Sequence, residues 1–193
     1  MHESTGFIEL QQKYIVFRLL WLRRLIGEDV DPLEPSESGR AICGTVHDMK
    51  INRLDHVGIN VEDLAAAKAF FLALGLEVLG EMEVQGKWVE RIIGLKNVRD
   101  TIVMMGIPGG EANIELVRFH SPKDAQGVQP SFSNTLGLRH LCLAVDDVDA
   151  VVATAKKHGA ELIGEIEIYE NIYKLCYMRG PEGIILELAE KLE

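Results

Sequence analysis

Two short apolar runs each carry one histidine, LDHVGINVEDL at 54–64 and LRHLCLAVDDV at 138–148. Two later apolar runs each carry one glutamate, IELV at 114–117 and LELA at 186–189. Imidazole nitrogen and carboxylate oxygen together make a hard-to-borderline donor set suited to divalent Ni, Co, Mn, Fe or Zn. His56, Glu115, His140 and Glu187 are therefore candidate ligands of one divalent metal ion. Taken singly, a strand histidine is more often a hydrogen-bonded structural residue, and a strand glutamate more often faces water. What lifts these four above that reading is that they recur as matched pairs.

A ligand set of this kind needs rigid elements, and strands supply them because alternate residues share a face. His56 shares its face with Leu54, Gly58 and Asn60, while Val57, Ile59 and Val61 take the other. Glu115 lies opposite Ile114 and Leu116, and Glu187 opposite Leu186 and Leu188. Four polar side chains thus project from apolar strands. If the two copies pack with pseudo-twofold symmetry, they converge on one place.

The copies are visible as an internal repeat. Shifted by 84 positions, residues 54–81 align with 138–165 without a gap, with ten identities in 28 positions: Leu54, His56, Val61, Asp63, Ala66, Ala69, Gly75, Glu77, Gly80 and Glu81. Average residue usage predicts roughly two. The alignment resumes at an offset of 72, where Glu115 meets Glu187. The first copy therefore holds about a dozen extra residues, placed most simply within QGKWVERIIGLKN at 85–97.

Each copy reads as strand, helix and three strands. The strands at 53–60 and 138–145 lead into EDLAAAKAFFLALG and DDVDAVVATAKKHG. Acidic residues open both helices, and Gly75 and Gly159 suit the left-handed position that ends them. LEVLGEMEV, TIVMMGI and ANIELVRF follow in the first copy, and AELIGEIEI, YKLCYMR and GIILELA in the second. GIPGG at 106–110 and RGPEG at 179–183 supply hairpin turns. The predicted fold class is α+β, a tandem βαβββ duplication.

The domain carrying this repeat is predicted over 50–193, as module 50–120, connecting segment 121–136 and module 137–193. Residues 1–49 read as an N-terminal extension. FIELQQKYIVFRLLWLRRLIG at 7–27 has the spacing of an amphipathic helix, interrupted by charge too often to span a membrane, and DVDPLEPSESG at 29–39 reads as a linker. The extension either does no more than precede the domain or packs on a partner subunit or membrane surface. A net charge of −10 argues against a nucleic-acid partner. The three cysteines, Cys43, Cys142 and Cys176, show no CxxC spacing and fit a reducing, cytoplasmic setting. Cys142 and Cys176 sit in apolar runs and read as small hydrophobes. His120 and His158 read as solvated surface, in a loop and at a helix end.

The duplicated βαβββ order, the four strand-borne donors and the phrases DHVGINVEDL, RHLCLAVDDV and RGPEGIILEL resemble the vicinal oxygen chelate superfamily. That group includes glyoxalase I, methylmalonyl-CoA epimerase, extradiol dioxygenases and bleomycin-resistance proteins. The resemblance covers about 50–193. It implies an eight-stranded open cup around a metal whose adjacent positions bind vicinal substrate oxygens. GPEGIILEL stands where the family usually has a "DPDG…E" ending, with Gly180 in place of the common Asp, a change expected to alter only the turn.

A fold hosts many reactions, so the resemblance alone does not choose one. The set His56, Glu115, His140 and Glu187 is similar to that of bacterial glyoxalase I. It implies a lyase or isomerase that moves a proton next to a carbonyl through a metal-held enediolate, with Glu115 or Glu187 carrying the proton. Alternatives are an acyl-CoA epimerase of methylmalonyl-CoA type, an Fe(II) ring-cleaving dioxygenase and a small-molecule binding or resistance protein without catalysis. Trp88, Glu90 and Arg91 in the inserted segment either enter the cup to bind substrate or belong to a loop and strand edge. The resemblance allows a cup within one chain or across two, and a homodimer is expected.

Overall fold

The structure is a computed structural model. It describes Ile51, residues 53–110, 112–129 and 131–192. The chain divides into two compact units, Met1–Lys50 and Ile51–Glu193, and only the second is described below. The helix predicted at 7–27, Cys43, His2 and His47 lie outside the described residues.

Two open sheets are built from the two repeats. In the first, β1 (His56–Asn60), β2 (Glu77–Gln85), β3 (Arg99–Gly106) and β4 (Asn113–Ser121) pair in the order β1-β4-β3-β2. In the second, β5 (His140–Ala144), β6 (Glu161–Leu162), β8 (Tyr173–Arg179) and β9 (Ile185–Lys191) pair in the order β5-β9-β8-β6, with β7 (Glu167–Tyr169) also on β8. In both sheets the first strand runs parallel to the last and the other neighbours run antiparallel. The predicted strand AELIGEIEI is split into β6 and β7 around Gly164.

The helices repeat with the same offset as the sequence. α1 (Leu64–Ala73) is capped by Asp63, whose Oδ1 accepts from the Ala66 N–H at 2.9 Å. α3 (Val148–Lys157) is capped by Asp147, whose Oδ1 accepts from the Ala150 N–H at 3.0 Å. A side-chain cap of this kind is worth about 1 kcal/mol. Gly75 and Gly159 leave the two helices with φ of 95° and 85°, where a Cβ would be strained.

One core lies under both repeats. Phe70, Phe71, Val103, Met105 and Leu116 of the first join Val148, Val152, Met178, Leu186 and Leu188 of the second, all buried. Phe70 and Phe71 meet edge to face, with ring centroids 5.3 Å apart. Each buried aromatic contributes roughly 1.5–3 kcal/mol of apolar transfer. The turn at 180–184 ties the halves together. Glu182 accepts the backbone N–H groups of Glu62 (2.6 and 2.7 Å) and Asp63 (2.6 Å) at the start of α1. Gly180 is buried, and a Cβ there would come within 3.3 Å of the Phe70 ring. The glycine standing for the family's Asp therefore serves the packing between repeats as well as the turn.

The extra residues of the first repeat form a helix, α2 (Lys87–Ile93). Val89 packs with Val84 and Val98 against Met82, Ile102 and Phe119, on the sheet face opposite the main core. The corresponding face of the second sheet has no such helix among the described residues. No described helix is long and apolar enough to cross a membrane.

Candidate metal centre

Parallel pairing of the first and last strand in each repeat brings each histidine to its glutamate. In the first, Gly58 of β1 lies opposite Glu115 of β4 and His56 stands two residues before Gly58 on the same face. In the second, Cys142 lies opposite Glu187 and His140 two residues before it. His56 Nε2 is 3.8 Å from Glu115 Oε2, and His140 Nε2 is 3.1 Å from Glu187 Oε2.

The surroundings of the two pairs differ. His56 Nδ1 bonds to Asp55 Oδ2 at 3.1 Å, and Arg53 donates to Asp55 Oδ1 at 3.0 Å. The His56 bond, with help from Arg53, holds the Asp55 carboxyl below the usual carboxylate range. With the ring proton assigned to Nδ1 by that bond, the Nε2 lone pair faces Glu115, which is how a metal-binding imidazole is oriented. His140 follows Arg139 instead of an aspartate.

The second pair has a phenol where the first has a thioether. Tyr177 of β8 lies opposite Glu187, and its hydroxyl donates to Glu187 Oε2 at 3.0 Å. Its ring meets the His140 ring edge-on at 5.2 Å. Burial, this hydrogen bond and the Glu187 charge raise the Tyr177 hydroxyl pKa above its ordinary value. The residue opposite Glu115 on β3 is Met104. Cys142 is exposed on the histidine face and is not the buried hydrophobe its apolar run suggests. Cys176 is buried. Burial and the Glu187 charge push the Cys142 thiol up.

Asp100, two alternations along β3 from Met104, is 3% exposed, and its Oδ1 has no hydrogen-bond partner. Burial first, and the Glu115 charge second, raise its pKa from 3.8 to about 6. His120 lies within β4, half-buried with Nε2 2.8 Å from Thr101 Oγ1, and is not the solvated loop residue predicted. His158 caps the end of α3 and is exposed.

Among the described residues, no three His, Cys, Asp or Glu side chains gather closely enough to hold one metal ion. The four predicted donors meet two by two. Each pair offers one nitrogen and one oxygen, a set that suits a borderline divalent ion. In the first, Nε2 and the carboxylate face one another too far apart to bond directly. The donor chemistry fits a metal ion. Between the outer edges of β1 and β5 lies a pocket of about 210 Å³, lined by Gly58, Ile59, His140, Leu141 and Ile185 among others.

The three inserted residues fall on α2. Glu90 accepts from Lys87 Nζ at 2.8 Å and from the Asn97 N–H at 3.1 Å, so its carboxylate closes its own helix end. Arg91 is exposed, and Trp88 stands at the border of exposure. Tyr177 and Asp100 on this face, and Asp55 beside His56, are the residues that the motifs do not reveal. Their signals are faint: one acidic residue in DTIVMM, the second of two tyrosines in YKLCYM, and the aspartate before the first histidine but not the second.

Comparison with known proteins supplies the family. Residues 55–177 match the model of the Glyoxalase/Bleomycin resistance protein/Dioxygenase superfamily. The uncharacterized protein YwbC of Bacillus subtilis (strain 168) is 30% identical over 141 residues, covering 72% of this chain and 98% of YwbC. A glyoxalase family protein from Bacillus cereus, known as a crystal structure, is 42% identical with a TM-score of 0.73, covering 77% of this chain and all of that one. The trypanothione-dependent glyoxalase I of Leishmania major shares the fold, at 23% identity and a TM-score of 0.50 over 72% of this chain and 87% of that one. The chain belongs to the Glyoxalase/Bleomycin resistance protein/Dioxygenase superfamily, whose members include glyoxalase I enzymes and commonly bind a divalent metal.

Proposed function

We propose that this chain is a divalent-metal-dependent lyase or isomerase of glyoxalase I type, moving a proton between two adjacent carbons next to a carbonyl. The observation that carries this reading is the matched pair of His–Glu contacts, 3.8 and 3.1 Å, at the same position of each repeat. His56, Glu115, His140 and Glu187 are the residues that hold the metal. When bound, the metal supplies Lewis acidity toward two vicinal oxygens of a small substrate. Asp55 keeps the His56 ring in the tautomer that presents Nε2. Glu115 or Glu187 takes the proton from one carbon and returns it to its neighbour. Trp88 and Arg91, on the helix that roofs this face, are the inserted residues a substrate meets.

The working form is proposed to be a homodimer, because the donors of one chain meet only in pairs and Leu54 and Leu138, beside the two histidines, are 63% and 69% exposed. Light scattering then reads twice the 21.5 kDa of the chain, and a mass near 21.5 kDa overturns the dimer.

The test of function is metal analysis of the purified protein followed by assay of three substrates. Bound nickel, cobalt, manganese, zinc or iron, with turnover of the methylglyoxal–glutathione hemithioacetal, is the expected result. Protein that takes up no divalent metal at micromolar concentration sinks the enzymatic reading and leaves a binding protein. Metal-loaded protein that acts on methylmalonyl-CoA or on catechol instead replaces it with an epimerase or a ring-cleaving dioxygenase.

A further inference from the structure

We propose that the pocket between β1 and β5 binds the carboxylate of a small, largely apolar organic acid, with the Arg139 guanidinium as its anchor. This site makes no use of a metal ion. His140 and Gly58 border the pocket, but its side-chain wall comes from positions that alternate with the four candidate donors. Val57 and Ile59 of β1, and Arg139 and Leu141 at the start of β5, take the face opposite His56 and His140. Ile59, Leu141 and Ile184 pack against the main core and, with Val57, give the pocket an apolar lining. Its volume of about 210 Å³ is far above what one water needs and suits an acid of several carbon atoms.

Charge makes the polar end of the site. Arg139 Nε is buried and has no hydrogen-bond partner among the described residues. Arg118 Nε is orphaned in the same way, but Glu62 answers the Arg118 charge at 3.7 Å. No described residue forms such an ion pair with Arg139. A half-buried guanidinium without a counter-charge is costly, and a carboxylate meets it with two parallel hydrogen bonds. Arg179 adds a second positive charge at the wall. Its Nη2 donates to the Ser131 carbonyl at 2.9 Å and its Nη1 to the Gly183 carbonyl at 3.4 Å, and both residues line the pocket. Among the described residues Glu182 is the one acid in the lining. Its carboxylate is committed to the backbone N–H groups of Glu62 and Asp63 at 2.6 and 2.7 Å. Two guanidinium groups against one engaged carboxylate make this pocket a place for an anion, in a chain whose net charge is −10.

The test uses the metal-free full chain in titration calorimetry and thermal unfolding, with benzoate as the probe and benzyl alcohol and inorganic phosphate as comparisons. Benzoate at millimolar concentration should bind and raise the Tm. Benzyl alcohol, which keeps the ring and lacks the charge, should bind about 10- to 100-fold more weakly, and so should benzoate to Arg139→Met. Without benzoate, Arg139→Met should unfold no lower than the parent, because it removes a buried unpaired donor. That comparison separates a lost ligand from a lost fold. Arg139→Lys keeps the charge without the paired hydrogen bonds, and its affinity should fall between the other two. A parent chain that does not bind benzoate overturns the proposal. So does benzoate binding that survives Arg139→Met, or an Arg139→Lys chain that binds as tightly as the parent. Benzyl alcohol binding as well as benzoate removes the anion from the site, and phosphate binding more tightly than benzoate removes the organic acid.

Discussion

Replacing Asp100 by Asn should remove a pH-dependent loss of stability that the native protein carries in the wall of its candidate site. The Asp100 carboxyl is 3% exposed, has one oxygen unpartnered, and feels the charge of Glu115 on the same face. Its pKa rises from an ordinary 3.8 to about 6. Below the lower value the group is protonated in folded and unfolded chains alike and contributes nothing. Between the two values the unfolded chain releases the proton and the folded chain keeps it, so stability falls as pH rises. Above about 6 the folded chain holds a buried carboxylate, and the full penalty is about 3 kcal/mol. Urea unfolding of metal-free protein at several values between pH 4 and pH 8 reads this directly. The Asp100→Asn variant should gain on the parent by about 3 kcal/mol across that range. Any constant cost of burying the amide drops out, because only the change with pH is compared. In a Glu115→Gln background the gain should shrink, since one cause of the raised pKa is removed. A difference between parent and variant that stays flat from pH 4 to pH 8 refutes the reasoning, as does one that runs the other way.

Two further outcomes follow from contacts at the edge of the site. Gly180→Asp, which restores the residue common in the family, should destabilise the protein by about 1–3 kcal/mol because its Cβ meets the buried Phe70 ring at 3.3 Å; an unchanged Tm in thermal unfolding would show that the ring yields. Asp55→Asn should weaken divalent-metal affinity by about 10-fold by loosening the His56 ring, and unchanged affinity in a competition titration would sever the link between Asp55 and the site.

The repeat made most of the fold legible in the sequence. Asp63 and Asp147 cap helices offset by 84 residues, and Gly75 and Gly159 end them, because cap and left-handed positions are local requirements that residue type announces. The two His–Glu pairings were legible for a related reason: a polar side chain in an apolar strand stands out, and a second copy marks the first. The insert was located within 85–97 but its helix was not, since seven residues between strands give too short a period to decide. The Tyr177–Glu187 hydrogen bond was not legible, because it depends on which residue β8 sets opposite Glu187, and register is a tertiary fact. Cys142 misled for the opposite reason. Its neighbours Leu141 and Leu143 point to the core, and only alternation turns it outward with His140.

The places where the repeats agree and differ separate packing from chemistry. On the face that meets the helices, Ile114 and Leu116 answer Leu186 and Leu188, and Met105 answers Met178, all buried. There a shared core demands matched apolar volume, and one methylene too many or too few is felt. On the opposite face the departures accumulate: Gly58 against Cys142, Met104 against Tyr177 and, among the described residues, a helix over one half only. Water or a ligand fills what side chains leave open there, so volume constrains that face less. Two equivalent His–Glu pairs thus stand in unequal surroundings, a hydroxyl beside one glutamate and a thioether beside the other.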